Sequence, residues 1–402
     1  AKKYKDNENG ETMMPTGTEA DYLNTLAASP HNTGLPVIRS STTDGISITC
    51  YDNWIPSFVE SALEQRYASL YSSLAVMRAY DRLEGTSVFV ASRDNKIFMI
   101  WLFQRRGKSV HVLNEAIAVN EAEARCFASH IFATYPDVWI ISFNAVHTDI
   151  QRLSWPFRRQ NCTEDSVLTL PATSMEYTSM LGKATRKNLK RYMARLTEQF
   201  PSFQYRILAK EEIDAKQIAE IVHLNRLRMN RKGKLPGITQ DDEQTMFSIA
   251  QRHGMLLVAT INGKICCGAI VFQFRDHYFS FVRAHDPAYD QYRLGLIGAY
   301  LLASECIARK GKELHFMWGR EPHKALLMGV ERKLDRLTLY RSAPHLFLSL
   351  HVVLKNAFFG YRRRFKLWLL EKMAQENNSV TKTANHIRRL FRQIKGLLYR
   401  PA

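Results

Sequence analysis

Two apolar hairpins limit what this 402-residue chain can fold into, because they recur 168 residues apart, at Lys96 and at Lys264. Val90-Ala91-Ser92, a polar turn and Lys96-Ile97 correspond to Val258-Ala259-Thr260, Asn262-Gly263 and Lys264-Ile265. In the first half the hairpin is followed by a strand Ser109–Leu113, a helix Glu121–Ala133 and a buried strand Val138–Phe143. In the second it is followed by a strand His277–Val282, a helix after a glycine turn, and a strand Glu313–Met317. Short β-branched and aromatic runs punctuated by Asn, Asp and Gly read as strands and turns. A repeat of about one domain's length points to a duplicated unit, the alternative being two unrelated hairpins. The expected class is α/β of the α+β kind: two tandem units, each a mixed, mostly antiparallel sheet flanked by helices.

The length accommodates two such units, expected at residues 44–170 and 171–344. They follow a flexible leader, 1–43, and precede a basic tail, 345–402. Pro171–Ser179 reads as a linker, Ile46–Tyr51 as a short strand and Leu337–Tyr340 as the last strand. Six cysteines without a C-x-x-C pair exclude a zinc ribbon and give no disulfide framework, so a reduced, cytoplasmic setting fits and no metal is expected. Cys266 and Cys267, adjacent on a strand, are expected to face opposite ways. No apolar run reaches the roughly 18 residues of a spanning helix, and no signal peptide is apparent.

The charge of +18 calls for an anionic partner: nucleic acid, lipid surface or a phosphate-bearing substrate. It concentrates in two places. Residues 179–196 form a basic helix with Leu181, Ala184, Leu189, Tyr192, Met193 and Leu196 on its apolar side. Its outer face is either a solvated surface or a phosphate-holding one. The tail 345–402 sets twelve Lys/Arg against two Glu among Phe, Leu and Trp. It is either a helix that lies on an anionic membrane surface or one packed on the core with a wet basic face. No helix-turn-helix, RNP or zinc pattern supports plain nucleic-acid binding.

At the strand-to-helix turn stands Arg293-Leu294-Gly295-Leu296-Ile297-Gly298. Exposed N–H groups at a helix start bind phosphate, and glycine allows close approach. Gly295 and Gly298 are therefore expected to meet a pyrophosphate, with Arg293 supplying charge. A backbone N–H of Phe281-Val282-Arg283 would polarise a thioester carbonyl if that strand splays, which makes Val282 and Arg283 donor-site candidates. Asp286, Tyr289, Glu321 and His323 are candidate proton acceptors. Arg186, Arg228, Lys232 and Lys324 would meet an anionic acceptor.

Hairpin, strand, glycine turn, helix, strand and polar loop resembles the acyl-CoA-binding half of a GNAT-type acyltransferase. Ser179, Lys183 and Arg186–Arg191, with His223–Arg228 and Lys232-Gly233, resemble helices of CelD/BcsL-type acetyltransferases of bacterial cellulose and exopolysaccharide biosynthesis. Gly319-Arg320-Glu321-Pro322-His323-Lys324 is similar to that family's G-D-E-P-Y-K loop, with Arg320 and His323 replacing Asp and Tyr. Of the family's small-Pro-Gly before the long helix, only Gly295 matches. The resemblance spans residues 175–342, and the double architecture is shared with Fem-type aminoacyltransferases of peptidoglycan bridges. It implies an N- or O-acyltransferase, cytoplasmic or peripheral on the inner membrane, that uses acetyl-CoA or another acyl-CoA. The implied acceptor is an amino sugar, nucleotide sugar or lipid-linked sugar. The second unit would hold the donor and the first would have degenerated. A Fem-like enzyme using aminoacyl-tRNA, or a non-catalytic adaptor of a membrane synthase complex, is the alternative.

Overall fold

The computed structural model describes residues 37–43, 45–231, 237–319 and 321–350. In the tail it adds positions 353, 354, 357, 358, 360, 361, 363 and 365. Leader residues 1–36, Lys232, Arg320 and most of the tail lie outside the described residues.

The first half runs β1 (Val37–Thr43), β2 (Ile46–Asp52), α1 (Val59–Tyr67), α2 (Leu74–Ala79), β3 (Thr86–Arg93), β4 (Lys96–Arg106) and β5 (Ser109–Val112). It continues through α3 (Glu121–Thr134), β6 (Ile140–Val146) and β7 (Phe157–Thr169). After α4 (Ser174–Met180) and α5 (Lys183–Gln199), the second half repeats the series. Its elements are β8 (Gln204–Ala209), α6 (Ala215–Arg231), α7 (Gln240–His253), β9 (Gly254–Ile261), β10 (Lys264–Phe274), β11 (His277–His285), α8 (Leu294–Ala308), β12 (Glu313–Trp318), α9 (Pro322–Leu326) and β13 (Val330–Tyr340). A short helix, α10 (Ala343–Leu348), follows.

The sequence repeat is a structural repeat. β3 and β9, and β4 and β10, have equal lengths and start 168 residues apart. Even a local irregularity is copied: the hairpin register skips one residue at Phe98 in β4 and at Cys266 in β10, again 168 apart. A bulge adds one residue to one strand and breaks the in–out alternation. That corrects the expectation for the paired cysteines, since Cys266 and Cys267 are both buried in one core cluster.

The thirteen strands of the described residues join one sheet, in the order β1-β2-β3-β4-β5-β6-β13-β7-β12-β11-β10-β9-β8. Among the strands of the described residues only β5·β6 and β11·β12 pair in parallel, so the sheet is mixed and mostly antiparallel. Its centre is an exchange. β7 of the first half lies between β12 and β13, and β13 lies between β6 and β7. β7 and β13 pair from Val330↔Val167 to Leu339↔Phe157, tying the halves together.

Helices cover both faces, and four clusters of buried side chains lie beneath them. α8 carries no charged residue before Glu305, because it is wedged between the sheet and α4 and α5. α5 buries Leu189 and Leu196 and turns its basic residues outward.

Several expectations are corrected here. Pro171–Ser179 is not a plain linker, because Thr173 caps α4 by accepting from the Glu176 N–H. The basic helix begins at Lys183, after a break at Leu181-Gly182, where both residues are non-helical. The last strand starts at Val330, well before Leu337. Residues 37–43 of the expected leader are a strand paired with β2.

Candidate active site

The geometry of the second half follows from where β11 stops pairing. β11 and β12 are in register only at His277↔Glu313, Tyr278↔Leu314 and Phe279↔His315. Immediately beyond, the β10–β11 register skips Phe281, a bulge that bends β11 away from β12. The strand does splay, as expected at Phe281–Arg283. The first half has no such feature: β5 is four residues long, pairs β4 without a skip, and stays paired with β6 through Val112↔Phe143.

A cleft of about 1330 Å³ opens at the splay, beneath α5, α6 and the start of α8. Apolar backbone and small side chains, including Leu257, Cys267 and Ala269, lie at its base. Its rim is basic, with Arg191 and Arg195 from α5, Arg228 and Arg231 from α6, and Arg293. A smaller cavity of about 590 Å³, beside Gln104, His111 and Ser142 in the first half, has no helix start among its lining residues.

The two equivalent helix starts differ in the way that decides anion binding. Asn120 caps α3 in a capping box with Glu123, and its first turn carries Glu121 and Glu123. Carboxylates already occupy that positive end. α8 has no side-chain cap and no acid in its first turn. Its N-cap is Arg293, held in the left-handed region at φ 54° and ψ 40°. Leu296 and Ile297 donate to the Arg293 carbonyl. The N–H groups of Leu294 and Gly295 are then the ones the first turn leaves over.

The two glycines serve different ends. A Cβ on Gly298 would come within 2.8 Å of Cys267 Sγ, so this glycine lets α8 lie close on β10. A Cβ on Gly295 would meet His285 Nδ1 at 3.0 Å. His285 Nε2 lies 2.8 Å from Asp290 Oδ1, and Arg231 donates to the other oxygen of Asp290 at 2.9 Å. Both glycines line the cleft.

Arg283 and His323 meet at the cleft, with Arg283 Nη2 2.9 Å from His323 Nε2. A guanidinium can only donate, so Nε2 accepts and the imidazole is neutral. Burial and the Arg283 charge push the His323 pKa down to about 4. Burial also lowers Arg283, to about 10, which leaves it charged at neutral pH. Its Nη1 is buried without a hydrogen-bond partner. Arg228 donates to the Arg283 carbonyl at 3.1 Å, and Glu321 Oε2 lies 3.5 Å from His323 Nε2.

The structure thus brings together Arg228, Arg283, Arg293, Gly295, Gly298, Glu321 and His323. Val282 is beside them but buries its side chain on the α6/α7 side of the sheet, so only its backbone can serve the cleft. Three expectations fail on geometry. Lys324 is buried, and its ammonium donates to the carbonyls of Met317, Trp318 and Gly319 at 2.7, 3.2 and 2.9 Å, which leaves nothing for an acceptor. Tyr289 packs edge-on against Phe200 at 5.4 Å and is not among the lining residues. Arg186 donates to the Ser179 carbonyl at 2.6 Å and steadies the α4–α5 joint instead. Asp286 caps the turn below α8 by accepting from the Ala288 N–H.

Arg191, Tyr192 and Arg195 were missed as individual cleft residues. Their signal was present, since Asn188, Arg191 or Tyr192, and Arg195 recur at helical spacing on one face.

Comparison with known proteins bears on the domain and the fold. Residues 183–325 match the family model described as the acetyltransferase (GNAT) domain. Among solved structures, FemX superposes with a TM-score of 0.56 at 8% identity, over 74% of this chain and 99% of that one. L-PGS from Bacillus licheniformis gives 0.49 at 12% identity, over 76% and 97%. No curated protein matches in sequence. The chain carries a GNAT acetyltransferase domain in a two-unit fold, and it is an acyltransferase.

Proposed function

We propose that the second half takes its acyl group from acyl-CoA, most simply acetyl-CoA, and passes it to an amine or hydroxyl of an anionic sugar precursor of a cell-surface polysaccharide. The observation that carries this reading is the contrast between the two helix starts. α3 is closed by its own carboxylates, whereas α8 is uncapped, faces a cleft and is ringed by five arginines. A carrier with a pyrophosphate fits that rim.

In this reading Leu294, Gly295 and Arg293 receive the pyrophosphate, and the thioester enters the splay beside Arg283. The partnerless Arg283 Nη1 is aimed to stabilise the oxyanion that develops when the acceptor attacks the carbonyl carbon. Once the oxyanion draws the guanidinium, His323 Nε2 is released and takes the acceptor's proton, with Glu321 beside it to balance the imidazolium. The C–S bond then breaks, and the sulfur leaves as thiolate and is protonated. Arg228 and Arg231 face the acceptor's phosphate.

Acetyl-CoA at a hundredfold excess over its Kd should stabilise the protein by about 2.7 kcal/mol. With an amino-sugar acceptor, free CoA thiol should appear at a rate that RNase does not change. No thermal shift would leave the adaptor reading. A rate dependent on aminoacyl-tRNA would favour the Fem-like one, to which the superposition on FemX lends the shared fold.

The tail supports a membrane location for the acceptor. Phe347, Leu350, Leu354, Phe358, Tyr361 and Phe365 expose large apolar side chains at helical spacing, in a segment with twelve Lys/Arg and two Glu. The protein should co-sediment with phosphatidylglycerol vesicles and not with phosphatidylcholine ones, and a chain ending at 344 should lose that binding.

A further inference from the structure

At the closed end of the splay, on the sheet face opposite α8, lies a polar cluster that acyl transfer does not use. His277 and Glu313 are paired across β11 and β12, and His315 is two residues on from Glu313. His315 Nε2 is 3.3 Å and His277 Nδ1 is 3.7 Å from the same oxygen, Glu313 Oε2. The donor atoms of all three residues fall within 4.8 Å of one another. Each imidazole also has a carboxylate at its outer nitrogen. Asp165 Oδ2 is 2.6 Å from His315 Nδ1, and Asp276 Oδ1 is 3.6 Å from His277 Nε2. His315 is 8% exposed, yet its Nε2, 3.3 Å from Glu313 Oε2, makes no hydrogen bond.

We infer that His277, Glu313 and His315 form a binding site for one zinc ion, with water as its fourth ligand. Donor atoms around a tetrahedral zinc lie about 3.3 Å apart, from bonds of about 2.0–2.1 Å. The two distances to Glu313 need to change by only a few tenths of an ångström. The Asp165 carboxylate on the outer nitrogen fixes the His315 tautomer that presents Nε2 inward, and Asp276 stands on the outer side of His277, leaving its Nδ1 toward Glu313. Arg332 holds Glu313 through both oxygens, at 2.9 and 2.6 Å, and leaves Oε2 a second lone pair for the metal. The buried, partnerless Nε2 is what an unfilled ligand position leaves behind.

The placement gives the ion a role. Its ligands come from the short paired stretch of β11 and β12 that ends where the splay begins, and Asp165 links His315 to β7 of the other half. A metal there would clamp the point from which the donor cleft opens, whatever donor the cleft accepts.

The test is zinc titration of the chelator-stripped protein against a chromophoric chelator, with thermal melts in parallel. One equivalent should bind and raise Tm. His277→Ala and Glu313→Gln should each weaken that equivalent at least tenfold and abolish the Tm rise. Asp165→Asn should weaken it by about tenfold or more, as loss of an outer carboxylate does. His277 is partly exposed and makes no hydrogen bond to Glu313, so the metal-free His277→Ala variant should melt near the stripped native protein and serve as the folded control. Equal zinc uptake and Tm response in native protein and His277→Ala, or no uptake by either, would overturn the site.

Discussion

Arg293 holds a backbone conformation that costs an L-residue about 1–2 kcal/mol and costs glycine almost nothing. At a surface position such a residue is kept for its side chain. Arg293→Gly should raise stability by about 1 kcal/mol in denaturant titration while raising KM for acyl-CoA about tenfold. Arg293→Ala should raise KM similarly without the gain in stability. His323 makes a second residue-scale prediction. With its pKa lowered to about 4, the imidazole is neutral through the range where an ordinary histidine titrates. The rate should show no acid limb near pH 6.5 and should fall only toward pH 4. The linkage has the same sign. Between about 6.5 and 4 the unfolded chain takes the proton and the folded one does not, so this histidine's contribution is present above 6.5 and is lost as pH falls. His323→Gln, which can still accept from Arg283, should lower kcat by about 10²–10⁴ and leave donor KM near native. A limb at pH 6.5 that vanishes in His323→Gln would remove the Arg283 contact from the resting enzyme. The sequence placed Lys324 beside His323, but it held no sign that three converging carbonyls would consume the ammonium.

Among the elements, α8 and α3 occupy equivalent places and have diverged at their first turns. α3 has Asn120 and Glu123, while α8 has Arg293 and two glycines. Those residues were legible in the sequence. The reason for Gly298 was not, because its neighbour Cys267 is thirty-one residues away in the chain and is turned toward it by a bulge. Gly298→Val should overpack this contact and lose about 1–3 kcal/mol in denaturant titration. Adding Cys267→Ala should recover part of the loss, and strict additivity of the two changes would show that they do not touch. The bulge at Phe281 belongs to the same scale. Tyr278-Phe279-Ser280-Phe281-Val282 reads as ordinary strand, and only the pairing register reveals the extra residue that opens β11 from β12.

For the whole molecule, the exchange of β7 and β13 decides how the two halves depend on each other. Each half's own last strand lies in or beside the other's sheet, so neither half alone can pair its central backbone groups. Residues 37–170 and 171–350, expressed separately, should be insoluble or lack a cooperative melt. Expressed together they should form a complex that melts as one. A cooperative transition in either isolated half would show that the exchange is dispensable. FemX shares this overall architecture at 8% identity, so the layout tolerates almost complete replacement of side chains.

The repeat, the strand and helix order, the basic faces and the glycine turn are properties of short windows. Periodicity, turn residues and charge in such windows are set by backbone sterics and solvation, which a linear sequence displays. The splay, the meeting of Arg283 with His323, the commitment of Lys324 and the closing of His277 on Glu313 and His315 join residues 5 to 40 positions apart. The strand exchange joins residues more than 150 apart. Which of many basic or titratable side chains end within 3 Å of each other depends on register and bulges, and those are decided only when the sheet closes around its cores.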